Sequence, residues 1–203
     1  MIRIVRANVL NKNIKENLSR LFVDSFYSYF AFINSKEKLY KAFKHIFDLN
    51  KFYVVLLDEE VIGMGSCCDG TSSIKFNKSL LCMNLGIGNG KRLYDYLKVI
   101  FEDRDYSFDI DKECGMIEFV AVKEMYRNKK IGYTLINHMM CDNGYKRYLA
   151  KVGDNNHSAR KVLENIGCEV FDEESATGKE KEEIGINNYL YMICENPRLS
   201  KEV

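Results

Sequence analysis

The stretch MIEFVAVKEMYRNKKIGYTLINHMM, residues 116–140, changes its hydrophobic period halfway along. Met116 to Val122 is an unbroken β-rich run apart from Glu118, and Ile131, Leu135, Ile136, Met139 and Met140 recur at helical spacing. Strand, loop and helix therefore follow one another within 25 residues. The loop carries Lys123, Arg127, Lys129 and Lys130 against the single acid Glu124. Gly132 falls in the first helical turn, where backbone N–H groups lack intrahelical partners and attract anions. The two readings of this loop are a cradle for a phosphate-bearing ligand and a solvated connection.

Working outward, Tyr148–Val152 reads as the next strand, followed by a helix on Ala159, Val162, Leu163 and Ile166 that Gly167 stops. Cys168–Phe171 and Tyr189–Ile193 read as the last two strands, with Asp172–Glu183 as a charged loop between them. Upstream, Ile2–Arg6 alternates as a first strand, and Ile14, Leu18, Leu21, Phe22, Phe26, Phe30 and Ile33 mark one helix. Ser35 is an N-cap for a second helix with Leu39, Phe43, Ile46 and Phe47 on its buried face. Phe52–Leu57 and Val61–Cys67 form a hairpin about Asp58-Glu59-Glu60. Residues 69–114 read as an insertion, with a brief strand at Ile74 and Phe76, a loop over Leu80–Gly90 and one helix on Leu93, Leu97, Ile100 and Phe101. Strands and helices alternate in mixed order, so the expected class is α/β (α+β) around one sheet, with residues 1–196 as a single domain and 197–203 as a tail.

Composition narrows the function. A chain of 203 residues with 46% hydrophobic and 29% charged residues is globular, and its net charge of +1 argues against a broad nucleic-acid surface. Its seven cysteines include no C-x-x-C pair, and His45, His138 and His157 lack ligand spacing, so reduced thiols, no metal and a cytoplasmic location are expected. No signal-peptide run or membrane-spanning stretch is present, so no membrane partner is expected. Gly86-Ile87-Gly88-Asn89-Gly90-Lys91 is not a P-loop, because Leu85 and Arg92 stand where Gly and Ser/Thr are required.

Arg127-Asn128-Lys129-Lys130-Ile131-Gly132, together with Val152, Asn156, Ala159 and Gly167 downstream, resembles the GNAT superfamily of N-acetyltransferases. The likeness is to bacterial members with a helical insertion before the fourth strand. It implies a mixed, mostly antiparallel sheet with a splay between the fourth and fifth strands. It further implies an acetyl-CoA cosubstrate, with the pyrophosphate at Arg127, Asn128, Lys129, Lys130, Ile131, Gly132 and Tyr133. Val120, Ala121 and Val122 would pair with the pantetheine arm through their backbone, and Asn156 and Ala159 would complete the cofactor set. Asn156 would hydrogen-bond a pantetheine amide, although Asn before a helix is also a common N-cap. The acetyl group would pass directly from the thioester to a primary amine of a small molecule or peptide, in a monomer or homodimer. Three positions depart from the pattern: Lys130 for a Gly, Leu163 for a Tyr and Cys168 for a Phe. They motivate the alternative of a non-catalytic acyl-CoA-binding or interaction protein on the same fold.

Transfer needs a neutral amine, and alkyl amines have pKa values near 10.4, so a general base is expected. Strand alternation places Glu118 on the face of Met116, Val120 and Val122, beside the implied thioester site, which makes it the candidate base. An edge-exposed or ion-paired glutamate is the competing reading. Tyr133, Tyr189 and Tyr191 are candidates for the acid that Leu163 does not supply. A Lys130 at positive φ would cost on the order of 1–2 kcal/mol.

Overall fold

The computed structural model describes residues 1–11, 13–102, 106, 108 and 110–196. Seven strands form one sheet: β1 (Ile2–Arg6), β2 (Phe52–Leu57), β3 (Glu60–Cys68), β4 (Cys114–Val122), β5 (Arg147–Gly153), β6 (Glu169–Ser175) and β7 (Asn188–Glu195). Their order is β1-β2-β3-β4-β5-β7-β6, and every neighbouring pair is antiparallel except β4–β5. The helices are α1 (Ile14–Phe26), α2 (Lys36–Phe43), α3 (Lys78–Leu85), α4 (Ile87–Leu97), α5 (Ile131–Asn143), α6 (His157–Ile166) and α7 (Gly178–Ile184). The mixed, mostly antiparallel sheet flanked by helices matches the expected class.

Each face of the sheet carries its own core. On one, α1 to α4 pack Phe22, Phe30, Leu39, Phe43 and Leu93 against Phe52, Val54 and Met64. On the other, α5 and α6 bring Leu135, Ile136, Met139 and Leu163 onto Tyr53, Val55, Ile62, Tyr148 and Met192. Full burial of such side chains contributes roughly 1.5–3 kcal/mol each, so the helix periodicity read from sequence is the dominant ordering force. Ser35 caps α2 by accepting from the Lys38 amide, and Gly167 (φ +99°) ends α6. The Asp58-Glu59 turn takes φ of +46° and +72°, which matches the right-handed twist of the β2–β3 hairpin.

Several expected elements differ. The helix expected to reach Ile33 ends at Phe26 and continues as a 3₁₀ turn over Tyr27–Phe30. That turn brings Phe30 to 5.8 Å from Phe22 and 5.1 Å from Phe43, measured between ring centroids. Ile46 and Phe47 lie beyond α2, though both are buried. Ile74 makes a single bridge with Phe47, and Phe76 lies outside any strand. The expected loop over Leu80–Gly90 is instead α3 and the start of α4, joined at Gly86. Gly90 is needed there, because a Cβ would stand 2.4 Å from the Cys82 Cα. The helix expected through Phe101 ends at Leu97 and widens into a π-helical turn over Lys98–Glu102. The segment from Asp172 onward is not one loop: β6 runs to Ser175, and α7 starts from a capping box of Thr177 and Glu180. The expected tail after Pro197 lies outside the described residues.

Candidate active site

β4 and β5 pair only at Cys114–Arg147, Gly115–Tyr148 and Met116–Leu149. Beyond these positions the strands diverge, and Ile117–Val122 has no partner on β5. On its other edge β4 stays paired with β3 through Val122, with a register shift between Met64 and Ser66. The shift answers an extra residue on β4. Phe119 takes φ +53°, a left-handed conformation that is an outlier for a bulky residue and costs on the order of 1–2 kcal/mol. Its ring lies 5.5 Å from Phe22, 6.1 Å from Phe52 and 5.3 Å from Phe101. Such pairs contribute about 0.5–1.5 kcal/mol each beyond burial, so the aromatic core outweighs the backbone strain and holds the bulge in place.

The bulge corrects one expectation. Met116 packs with Cys68, Leu149 and Tyr191, and Phe119 and Ala121 meet the α1–α4 core. Val120 and Val122 meet the α5–α6 core. Glu118 therefore shares a face with Met116 but not with Val120 and Val122, because the bulge inverts the alternation after it.

Glu118 is half-buried. Its Oε2 accepts from Ser73 Oγ at 2.9 Å and faces the Cys68 Sγ at 3.5 Å. Ser66 Oγ lies 3.0 Å from Ser73 Oγ and 3.3 Å from the Glu118 carbonyl oxygen. Burial, reinforced by the Glu118 carboxylate, pushes the Cys68 thiol up, which keeps it protonated and weakly nucleophilic. Cys168 belongs to the core on the opposite face. Sequence reasoning missed Ser66, Ser73 and Cys68; the one available signal was a serine inside an otherwise apolar strand.

At the far end of β4 the loop to α5 is left-handed at Asn128 (φ +61°) and Lys130 (φ +59°). Lys130 thus takes the conformation that the expected Gly would supply. Lys123 is paired with Glu60 at 2.7 Å, and Tyr126 donates to the same carboxylate at 3.2 Å. Arg127 is anchored by its Nε to the Val122 carbonyl at 3.2 Å, and Lys129 lies 5.3 Å over the Tyr126 ring. Among the described residues Arg127, Lys129 and Lys130 have no carboxylate partner, so this turn keeps its positive charge. The first intrahelical amide is Thr134, donating to the Lys130 carbonyl at 3.0 Å. The amides of Ile131, Gly132 and Tyr133 precede it, and a Cβ on Gly132 would meet nothing within 4 Å. This open, cationic helix start fits a diphosphate.

Asn156 caps α6, accepting from the Ala159 amide at 3.1 Å, so its Oδ1 is engaged and its amide group remains to donate. The neighbouring Asn155 donates instead to the Ile184 and Gly185 carbonyls, both at 3.1 Å. Leu163 is buried beneath α6. The Tyr189 hydroxyl donates to Glu180 at 2.7 Å and that of Tyr191 to Glu174, and burial pushes both phenols up. Tyr133 is partly exposed on α5. Among the described residues no group of three or more His, Cys, Asp or Glu stands together to hold a metal, and no helix is long and apolar enough to cross a membrane.

A parallel β4–β5 pair thus splays beside a bulge, ahead of a cationic helix start. The chain belongs to the acetyltransferase (GNAT) family, whose model matches residues 16–168. Members of this family use acetyl-CoA for acetyl transfer. Among solved structures, it is similar to an N-acetyltransferase from Staphylococcus aureus Mu50, at 14% identity over 95% of this chain and 100% of that one, with a TM-score of 0.63. It is also similar to the ribosomal-protein-S18-alanine N-acetyltransferase from Escherichia coli, at 10% identity over 100% and 99% of the two chains, with a TM-score of 0.55. PH1933 from Pyrococcus horikoshii OT3 is alike at 15% identity over 96% and 98%, with a TM-score of 0.59. At these identities the likeness is one of fold. No curated protein matches the sequence.

Proposed function

We propose that this chain is an N-acetyltransferase that moves the acetyl group directly from acetyl-CoA to a primary amine of a small molecule or peptide. The observation that carries the reading is Glu118, a carboxylate set at the bulge where β4 parts from β5. The turn from Arg127 to Tyr133 binds the diphosphate, and the unpaired edge at Val120, Ala121 and Val122 pairs with the pantetheine arm. Asn156 donates to a pantetheine amide, and Ala159 lines the same side. A backbone N–H near Val120 polarises the thioester carbonyl. The amine nitrogen attacks the carbonyl carbon and the N–C bond forms as the C–S bond breaks. The amine proton passes to Glu118, directly or through a water, and sulfur leaves as a thiolate, which its pKa near 8.5 permits.

Calorimetry and thermal shift with acetyl-CoA, followed by thioester turnover over an amine panel, test this reading. Acetyl-CoA at 100 times its Kd should stabilise the fold by about 2.7 kcal/mol. No shift at millimolar acetyl-CoA overturns the binding site. A shift without turnover favours the acyl-CoA-binding reading. Alanine at Cys168 should leave turnover in place; its loss with folding and binding intact overturns direct transfer.

A further inference from the structure

We propose that Ser73, backed by Ser66, is a positioning residue for the Glu118 carboxylate; this rests on Glu118 being the general base. Both serines are fully buried, at 0% exposure. A buried hydroxyl is retained where it has hydrogen-bond partners, and here the partners end on a carboxylate. Proton counting fixes the direction of the chain. An ionised carboxylate only accepts, so the single Ser73 proton goes to Glu118 Oε2, 2.9 Å away. The contact of 3.0 Å between the two hydroxyls must then take its proton from Ser66, which shares it with the Glu118 carbonyl oxygen at 3.3 Å. The series therefore runs from Ser66 to Ser73 to Glu118, each member polarised by the next.

The backbone around Ser73 is tied on both sides. Its carbonyl accepts from the Asp48 amide at 3.0 Å, and the Lys75 amide donates to the Ile46 carbonyl at 2.8 Å. The Ser72 hydroxyl donates to the Ile74 carbonyl at 2.6 Å. Ser66 sits on β3 directly opposite Glu118 in the ladder. The hydroxyl pair is thus fixed to the sheet, and it meets the Glu118 carboxylate beside the bulge at the edge of the splay. A base works only within hydrogen-bond reach of the proton it takes, so holding Oε2 is a condition for transfer rather than for folding.

Steady-state kinetics with acetyl-CoA and an amine that the wild type acetylates test the proposal. Ser73→Ala should lower kcat roughly 10- to 100-fold, the range for losing a hydrogen bond to a charged group, with the KM for acetyl-CoA within about twofold. Ser73→Thr, which keeps the hydroxyl, should restore most of the rate. In a Glu118→Gln background, adding Ser73→Ala should cost nothing further, because both changes remove one function. Wild-type rates in Ser73→Ala, or losses that multiply in the double variant, overturn the positioning role. Glu118→Gln at wild-type rate overturns the base itself, whereas a slow Glu118→Gln beside an unaffected Ser73→Ala overturns only the positioning. If Ser73→Ala does not fold, Ser73→Cys replaces it: an intermediate loss supports the role and a wild-type rate overturns it.

Discussion

The ring of Phe119 lies over that of Phe52, centroids 6.1 Å apart and planes 16° apart, while the Phe119 backbone holds φ +53°. Packing and backbone preference oppose each other at this residue, and packing prevails. Phe119→Ala keeps the left-handed strain and loses the ring, so it should cost roughly 2–4 kcal/mol, somewhat under the range for a fully buried Phe. Phe119→Gly loses the ring but sheds the strain, and should be about 1 kcal/mol more stable than the alanine variant. Urea denaturation measures both; glycine equal to or below alanine would show that the strain is absent.

Gly132→Asp separates fold from ligand. Nothing in the protein meets a Cβ at Gly132, and a carboxylate in the first turn of α5 favours the helix dipole by about 0.3–1 kcal/mol. The free variant should therefore melt at or slightly above the wild-type temperature. With acetyl-CoA its thermal shift should vanish, since the new charge faces the phosphates. A shift of wild-type size would place the phosphates elsewhere.

Glu118→Gln should lower kcat/KM by roughly 10²–10⁴ at neutral pH and leave acetyl-CoA affinity nearly unchanged. The loss should narrow at high pH, where the amine is already neutral. An unaffected rate would move the assignment to another residue.

Burial pushes the Cys67 thiol up to about 12, above the ordinary 8.5 of an unfolded thiol. The folded state thus holds this proton more tightly. That contribution is fully present below about pH 8.5 and is lost as pH rises towards 12. Cys67→Ala should lose less stability than the wild type between those limits, measured by denaturant midpoints across pH. Parallel curves would show that Cys67 does not titrate with folding.

What the sequence revealed depended on whether a signal was local. The strand-loop-helix at 116–140 was legible because both of its periods lie within one segment, and Ser35 and Gly167 act on the turns beside them. The α3–α4 pair was hidden because Gly86, Gly88 and Gly90 weaken helix propensity, while the need for Gly90 arises from Cys82 on the neighbouring helix. α7 carried its signal in Thr177 and Glu180, obscured by surrounding charge. Near the proposed site, the start of α5 at Ile131 and Gly132 was legible from the helical spacing of Ile131, Leu135, Ile136, Met139 and Met140. The face of Glu118 could not, because the bulge depends on rings at Phe22, Phe52 and Phe101.

The narrow seam between β4 and β5 also divides the chain in time. Apart from the three β4–β5 positions, β1 to β4 pair among themselves, and the core beneath α1–α4 draws on buried residues from Ala7 to Ala121. One face of the sheet can therefore close as soon as residue 122 has been synthesised. The other face, with Tyr53, Val55, Ile62, Cys67 and Ile117, waits for Ile131 to Met140 of α5. At synthesis rates of about 5–20 residues per second, that apolar face stays uncovered for a second or more. A nascent chain halted near β4 would be half a folded protein with one bare side, the form most in need of a chaperone.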